Sequence, residues 1–97
     1  MLYIVNKSPL MFSNLKSLLR IAPAGEPILL IEDGVYAAAR GAASEALALE
    51  ALAKHPLYAL RADLEARGVH NLVEGVQVID YTGFVRLVEQ HHVVPWL

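Results

Sequence analysis

The sequence predicts a three-layer α/β/α domain built on a mostly parallel sheet of four to five strands. Three observations carry this. Four short apolar runs, Leu2 to Val5, Pro27 to Ile31, Pro56 to Leu60 and Val76 to Ile79, recur along the chain. Pro27 to Ile31 in particular does not alternate with polar residues, and such an apolar run marks a strand covered on both faces, as in a parallel sheet. The segments between them have helical spacing or strong helix formers, so the order reads β-α-β-α-β-α-β-α, which places helices on both sides of the sheet. With 97 residues and no internal repeat or linker, residues 1–97 are read as a single domain.

Each element has its own signal. Leu2 to Val5 is rich in β-branched residues and opens the sheet. Asn6-Lys7-Ser8-Pro9 then interrupts. Ser8 is placed to cap a helix whose first turn holds Pro9, where the missing N–H is no loss. Met11, Leu15, Leu18, Leu19 and Ala22 recur at helical spacing opposite Asn14, Lys16, Ser17 and Arg20. Pro23-Ala24-Gly25 ends that helix. After the second strand, Glu32-Asp33-Gly34 follows, with Asp33 as expected N-cap for Val35 to Ala39. Gly41 breaks the pattern, and Ser44 to Lys54, rich in Ala, Leu and Glu, forms the next helix. Asp63 begins a short helix that Gly68 terminates. Val69 to Gly75 reads as loop. Tyr81 to His91 is the last helix, with Phe84, Val85 and Val88 on one face. Val93-Val94 adds an edge strand before Pro95-Trp96-Leu97.

The composition excludes several function classes. The chain has no cysteine, so it forms no disulfide framework and performs no thiol chemistry of its own. Net charge is −2, and the eight Lys and Arg are scattered rather than gathered in the positive stripe that phosphate-backbone binding needs, so no direct nucleic-acid binding is expected. No apolar stretch reaches the ~18 residues of a membrane span. The first residues lack the charged start and cleavage site of a signal peptide. A cytoplasmic protein is the expectation. Hydrophobic residues make up 56% of the chain and charged residues 19%, an apolar balance that fits either a dense core or a face covered by another subunit.

In an open parallel sheet, ligands bind outside the carboxyl ends of the strands. The residues there are Asn6, Lys7 and Ser8, then Glu32, Asp33 and Gly34, then Arg61 and Asp63, then Asp80 and Tyr81. Lys7, Asp33 and Asp80 together invite comparison with a Mg²⁺-dependent phosphate-accepting domain. The competing reading makes Asp33 and Asp80 helix caps, each contributing about 0.5–2 kcal/mol. No phosphate loop, dinucleotide fingerprint or hydrolase elbow occurs. His91-His92 lie about 100° apart on a helix and do not share a metal ion readily. Trp96, the only tryptophan, either packs on its own domain or anchors an interface. No catalytic residue, cofactor or metal site is assigned.

Several local patterns in order resemble one family. They are Val5-Asn6-Lys7-Ser8-Pro9, Ile31-Glu32-Asp33-Gly34-Val35-Tyr36-Ala37-Ala38, Tyr58-Ala59-Leu60 with Asp63-Leu64-x-Ala66-Arg67-Gly68, Asp80-Tyr81-x-x-Phe84-Val85, and the terminal Trp96. Together they span the chain and resemble the DsrH/TusB family of the DsrEFH and TusBCD sulfur-relay complexes. The resemblance implies a three-layer α/β/α fold and a place in a hetero-oligomer with TusC-like and TusD-like subunits. It implies a part in persulfide transfer, through a TusE-like acceptor to the wobble uridine of transfer RNA, or alternatively in dissimilatory sulfur oxidation. Some family members carry a cysteine in the first helix, at about the position of Leu18. Leucine there favours the TusB-like type, an accessory subunit and not an enzyme, with the working cysteine on the TusD-like partner. The expected partner-contact residues are Leu18, Gly34, Val35, Tyr36 and Trp96. The isolated chain is also open to self-association. The reading of another class is a stand-alone small-ligand or phosphate-binding domain using Lys7, Asp33 and Asp80.

Overall fold

The computed structural model describes residues 1–97. Five strands form one sheet: β1 (Leu2–Val5), β2 (Ile28–Leu30), β3 (Leu57–Leu60), β4 (Gln77–Ile79) and β5 (Val93–Trp96). Their order is β4-β3-β2-β1-β5, and every pairing is parallel. The helices are α1 (Asn14–Ile21), α2 (Glu45–Lys54), α3 (Arg61–Ala66) and α4 (Tyr81–Gln90), with a 3-10 helix over Glu32–Ala38. The predicted α/β class and parallel sheet are therefore present, with β5 as the fifth strand.

The topology dictates how the helices divide. From β1 to β4 the chain steps across the sheet in one direction, so right-handed crossovers put α1, α2 and α3 on the same face. The step from β4 to β5 runs back across the sheet and puts α4 on the other. The two layers are unequal. Fourteen buried residues, including Val5, Leu15, Leu18, Ile28, Leu30, Val35, Ala51 and Leu64, form the core on the α1–α3 side. Only Leu2, Ile4, Leu29 and Leu87 are buried together on the α4 side. β5 lies at the sheet edge, where Pro95 opposite Ile4 lacks an N–H without breaking a ladder between two strands.

Four sequence expectations are corrected. Helix α1 starts at Asn14, not near Ser8, and Met11 is 77% exposed rather than part of the apolar stripe. Ser8 organises a turn instead: its hydroxyl accepts from the Leu10 N–H and its carbonyl from the Met11 and Phe12 N–H groups. Asp33 does not cap a helix, because Glu32–Ala38 winds as a 3-10 helix entered from Ile31. The short helix begins at Arg61 with Asp63 already inside it. On α4 the sheet receives Leu87 and part of Phe84, while Val85 and Val88 face outward. The segment 69–75 is a loop, yet an antiparallel bridge from Leu72 to Ala39 ties it to the end of the 3-10 helix.

Gly68 does end α3 as expected. It takes φ +65°, its N–H donates to the Glu65 carbonyl, and the Val69 N–H donates to Leu64. This pair of bonds is the Schellman arrangement, in which a left-handed glycine satisfies the last free carbonyls.

Candidate functional site

All four β-to-helix junctions open on the carboxyl edge of the sheet, as the parallel order requires. The strand order decides which of their side chains meet. β2 and β3 are neighbours, so the 3-10 helix after β2 and α3 after β3 lie side by side. Arg67, the residue that closes α3, donates from Nε to Asp33 Oδ1 at 2.8 Å, and one terminal nitrogen lies 3.7 Å from Asp63 Oδ1. Asp63 Oδ2 accepts from the Glu32 N–H at 2.8 Å. Glu32 is the one non-glycine residue with positive φ, +48°. That conformation is uncommon for a side chain of this size and is held here by the carboxylate on its amide. The hydrogen bond to Asp33 raises the affinity of the Arg67 guanidinium for its proton above its ordinary value, against the opposing effect of burial.

Gly34 brings the 3-10 helix onto the end of β1. A Cβ built there would lie 2.2 Å from the Val5 carbonyl oxygen. Its φ is not positive, so the glycine serves close approach rather than backbone freedom. Val35, one residue on, is fully enclosed in the core.

Lys7, Asp33 and Asp80 are not brought together. Lys7 follows β1 and Asp80 follows β4, three inter-strand steps apart, or roughly 14 Å at the usual spacing. Each has another task. Lys7 Nζ sits 5.2 Å from the centre of the Phe12 ring. Asp33 pairs with Arg67, and Asp80 caps α4 by accepting from the Gly83 N–H at 2.9 Å. No three His, Asp or Glu side chains converge as metal ligands. Ser8 has no basic side chain hydrogen-bonded to it. The edge therefore holds no nucleophile–base pair and no cation cage.

The sequence-predicted contact residues divide sharply. Leu18 and Val35 have no exposed surface and Gly34 is buried, so in the single chain none of them offers a side chain to a partner. Tyr36 and Trp96 are half-buried. Trp96 packs on its own domain: its indole N–H donates to the Asn14 carbonyl at 2.9 Å, and its ring meets Tyr3 edge-on at 6.5 Å between centroids. It ties β5 to the start of α1.

What the chain does present is a groove of about 500 Å³ between the β1–α1 loop and α2, lined by Pro9, Leu10, Lys16, Ala46, Leu47 and Glu50 among others. Beside it Leu10, Met11 and Phe12 are 57%, 77% and 52% exposed. Sequence reasoning missed this surface because Met11 stands four residues before Leu15 and fits the helical stripe. It also missed Arg67 as the organiser of the edge, although the Asp63/Arg67 spacing of four on a helix was a usable signal. No helix is long and apolar enough to cross a membrane.

Comparison with known proteins bears on this arrangement. The profile of the DsrH family, described as DsrH like protein, matches residues 7–94. Protein TusB of Serratia proteamaculans is 44% identical over 92 residues, covering 94% of each chain. Protein TusB of Photorhabdus laumondii is 41% identical over 93 residues, covering 95% of each. Among solved structures, a protein of unknown function from Methanobacterium thermoautotrophicum superposes with a TM-score of 0.70 at 19% identity, covering 97% of this chain and 96% of its own. That likeness concerns the fold alone.

Proposed function

The chain belongs to the DsrH family, and from that premise we propose that it is a non-catalytic, TusB-like subunit of a sulfur-relay complex that supports 2-thiolation of the transfer-RNA wobble uridine. One observation carries the proposal: a chain that matches proteins named TusB over nearly its whole length contains no cysteine. Persulfide transfer needs a thiolate to receive the sulfane sulfur and release it. This chain has none, so its part in a relay is indirect.

The carboxyl edge supports the same reading. Asp33, Asp63, Arg67 and Asp80 are engaged in holding the 3-10 helix, α3 and α4. In this role the subunit completes a hetero-oligomer with TusC-like and TusD-like chains and shapes the surroundings of the cysteine on the latter. A TusE-like acceptor then takes the sulfur from that cysteine.

The test is co-expression of this chain with its two companion subunits, followed by purification through a tag on this chain alone. Recovery of all three in fixed ratio is expected, together with loss of 2-thiouridine from transfer RNA when this gene is deleted. Absence of any complex overturns the subunit reading. A complex whose deletion leaves 2-thiouridine intact but stops sulfur oxidation moves the chain to the other branch of the family.

A further inference from the structure

We propose that the turn Pro9 to Phe12, with the groove beside it, is the surface through which this chain docks on an acidic protein partner, the turn entering an apolar socket rimmed by carboxylates. This rests on the subunit reading above and names the contact that the reading requires.

The tip combines exposure with rigidity. Leu10, Met11 and Phe12 are three consecutive large apolar side chains, each more than half exposed. Their backbone is not loose. Three N–H groups converge on Ser8, whose side chain is itself buried. Lys7 lies over the Phe12 ring. A preorganised apolar tip loses little entropy on binding, which is the property of an interface anchor. Ordinary surface loops carry polar tips, and a contiguous apolar one marks an interaction site.

Charge is unevenly divided along the chain. Residues 1–25 hold Lys7, Lys16 and Arg20 and not one of the ten Asp and Glu. All ten acids lie in residues 26–97, with the other five cations, so the opening quarter carries +3 and the remainder −5. Lys7 flanks the tip, and Lys16 lines the groove with Glu50 on the α2 side. A partner surface complementary to this one is acidic around an apolar centre. Phosphate-rich RNA fits less well, because only three cations are present, a carboxylate lines the groove, and the projecting groups are apolar.

The experiment uses the full chain co-expressed with its two companion subunits. Met11→Asp, on a side chain the fold barely uses, is expected to lower recovered complex at least tenfold while the isolated variant melts within a few degrees of wild type. The pair Lys7→Glu and Lys16→Glu is expected to weaken assembly strongly at low salt and much less at high salt, as screened charges require. Val85→Asp, on the exposed face of α4, is expected to assemble like wild type. If the wild-type chain forms no complex, the subunit reading fails and this inference falls with it. If wild type assembles and the Met11 and lysine variants do so equally well, the inference alone fails. Disruption by Val85→Asp in place of Met11→Asp moves the contact to α4. Intact assembly with loss of transfer-RNA binding in the lysine pair makes the surface an RNA site and overturns the proposal.

Discussion

Replacing Gly34 with alanine tests the central packing contact of the carboxyl edge. The new Cβ would stand 2.2 Å from the Val5 carbonyl oxygen, 3.0 Å from its carbonyl carbon and 3.4 Å from the Asn6 Cα. All three are backbone atoms of β1 or its exit, so no side chain can swing aside. Relief requires the 3-10 helix to move outward by about 1 Å. Overpacking of this kind costs about 1–3 kcal/mol. The movement also strains the bonds from Ile31 N–H to Val5 O (3.0 Å) and from Glu32 N–H to Asp63 (2.8 Å), and one of these lost adds about 1 kcal/mol. The total is about 3 kcal/mol, a large share of the ~5–15 kcal/mol available to a domain of this size. Thermal unfolding followed by circular dichroism should show Tm lowered by about 12–24 °C. Gly41→Ala is the control: its φ is +79°, but the space around a Cβ is empty, so only the local backbone penalty of about 1–2 kcal/mol applies. A Gly34→Ala variant within 1 kcal/mol of wild type, or no worse than Gly41→Ala, would refute the close-approach argument.

Three further outcomes follow from the same coordinates. Burial pushes the Tyr3 phenol above its ordinary 10.0, with the Glu26 carboxylate adding to the effect. A raised folded-state value means the contribution to stability is fully present below pH 10 and is lost as pH rises through that higher value. Tyr3→Phe should therefore unfold less steeply with pH than wild type above pH 10, and parallel curves would count against the burial. Trp96→Phe keeps a ring against Tyr3 but loses the indole bond to Asn14, for an expected loss of about 1 kcal/mol in urea unfolding, whereas Trp96→Ala should lose about 2 kcal/mol or more. An unchanged midpoint in both would mean that Trp96 does not hold β5 to α1. Leu18→Cys introduces the only thiol in the chain, at a position with no exposed surface, so alkylation should wait for unfolding. Rapid labelling of the native variant would mean that this face of α1 opens.

The central strands were legible because burial on both faces leaves an apolar run, as at Leu2 to Val5 and Ile28 to Leu30, although Pro9 to Phe12 is equally apolar and forms an exposed turn. The helix starts were harder. Ser8 has the chemistry of a cap, but serine satisfies a turn with the same hydroxyl, and here it does. Asp33 was also a reasonable cap until Glu32 took a positive φ, after which its carboxylate reaches Arg67, 34 residues away in sequence. Nothing local announces that pair, since it depends on β2 and β3 being neighbours. Asp80, whose cap is local, was read correctly. The contact residues show a different limit. Leu18, Gly34 and Val35 stand out in sequence because they are apolar or small in a distinctive order, and those features mark a core as readily as an interface. Exposure separates the two, and Leu10 to Phe12 are three consecutive large apolar residues that the fold leaves exposed.

The missing thiol gains meaning from where Leu18 lies. A sulfur carrier must be reached by a donor and an acceptor in turn, and its thiolate needs a polar, accessible surrounding. Leu18 faces the sheet among Leu15, Leu19 and Leu30, enclosed by apolar groups. A cysteine at that place in this backbone would be enclosed by apolar groups, so a single Leu18→Cys change would not make the chain a carrier. Along the carboxyl edge the polar groups serve the fold. Asp63 holds the Glu32 amide, Arg67 holds Asp33, Asp80 holds α4, and Gly34 leaves no room for a side chain above β1. These groups have become internal supports. The turn that follows β1 is held separately, by the Leu10, Met11 and Phe12 N–H groups on Ser8. The carboxyl edge is thus stiff without carrying a thiol, and the exposed apolar tip at Leu10 to Phe12 stands beside it on the connection from β1 to α1.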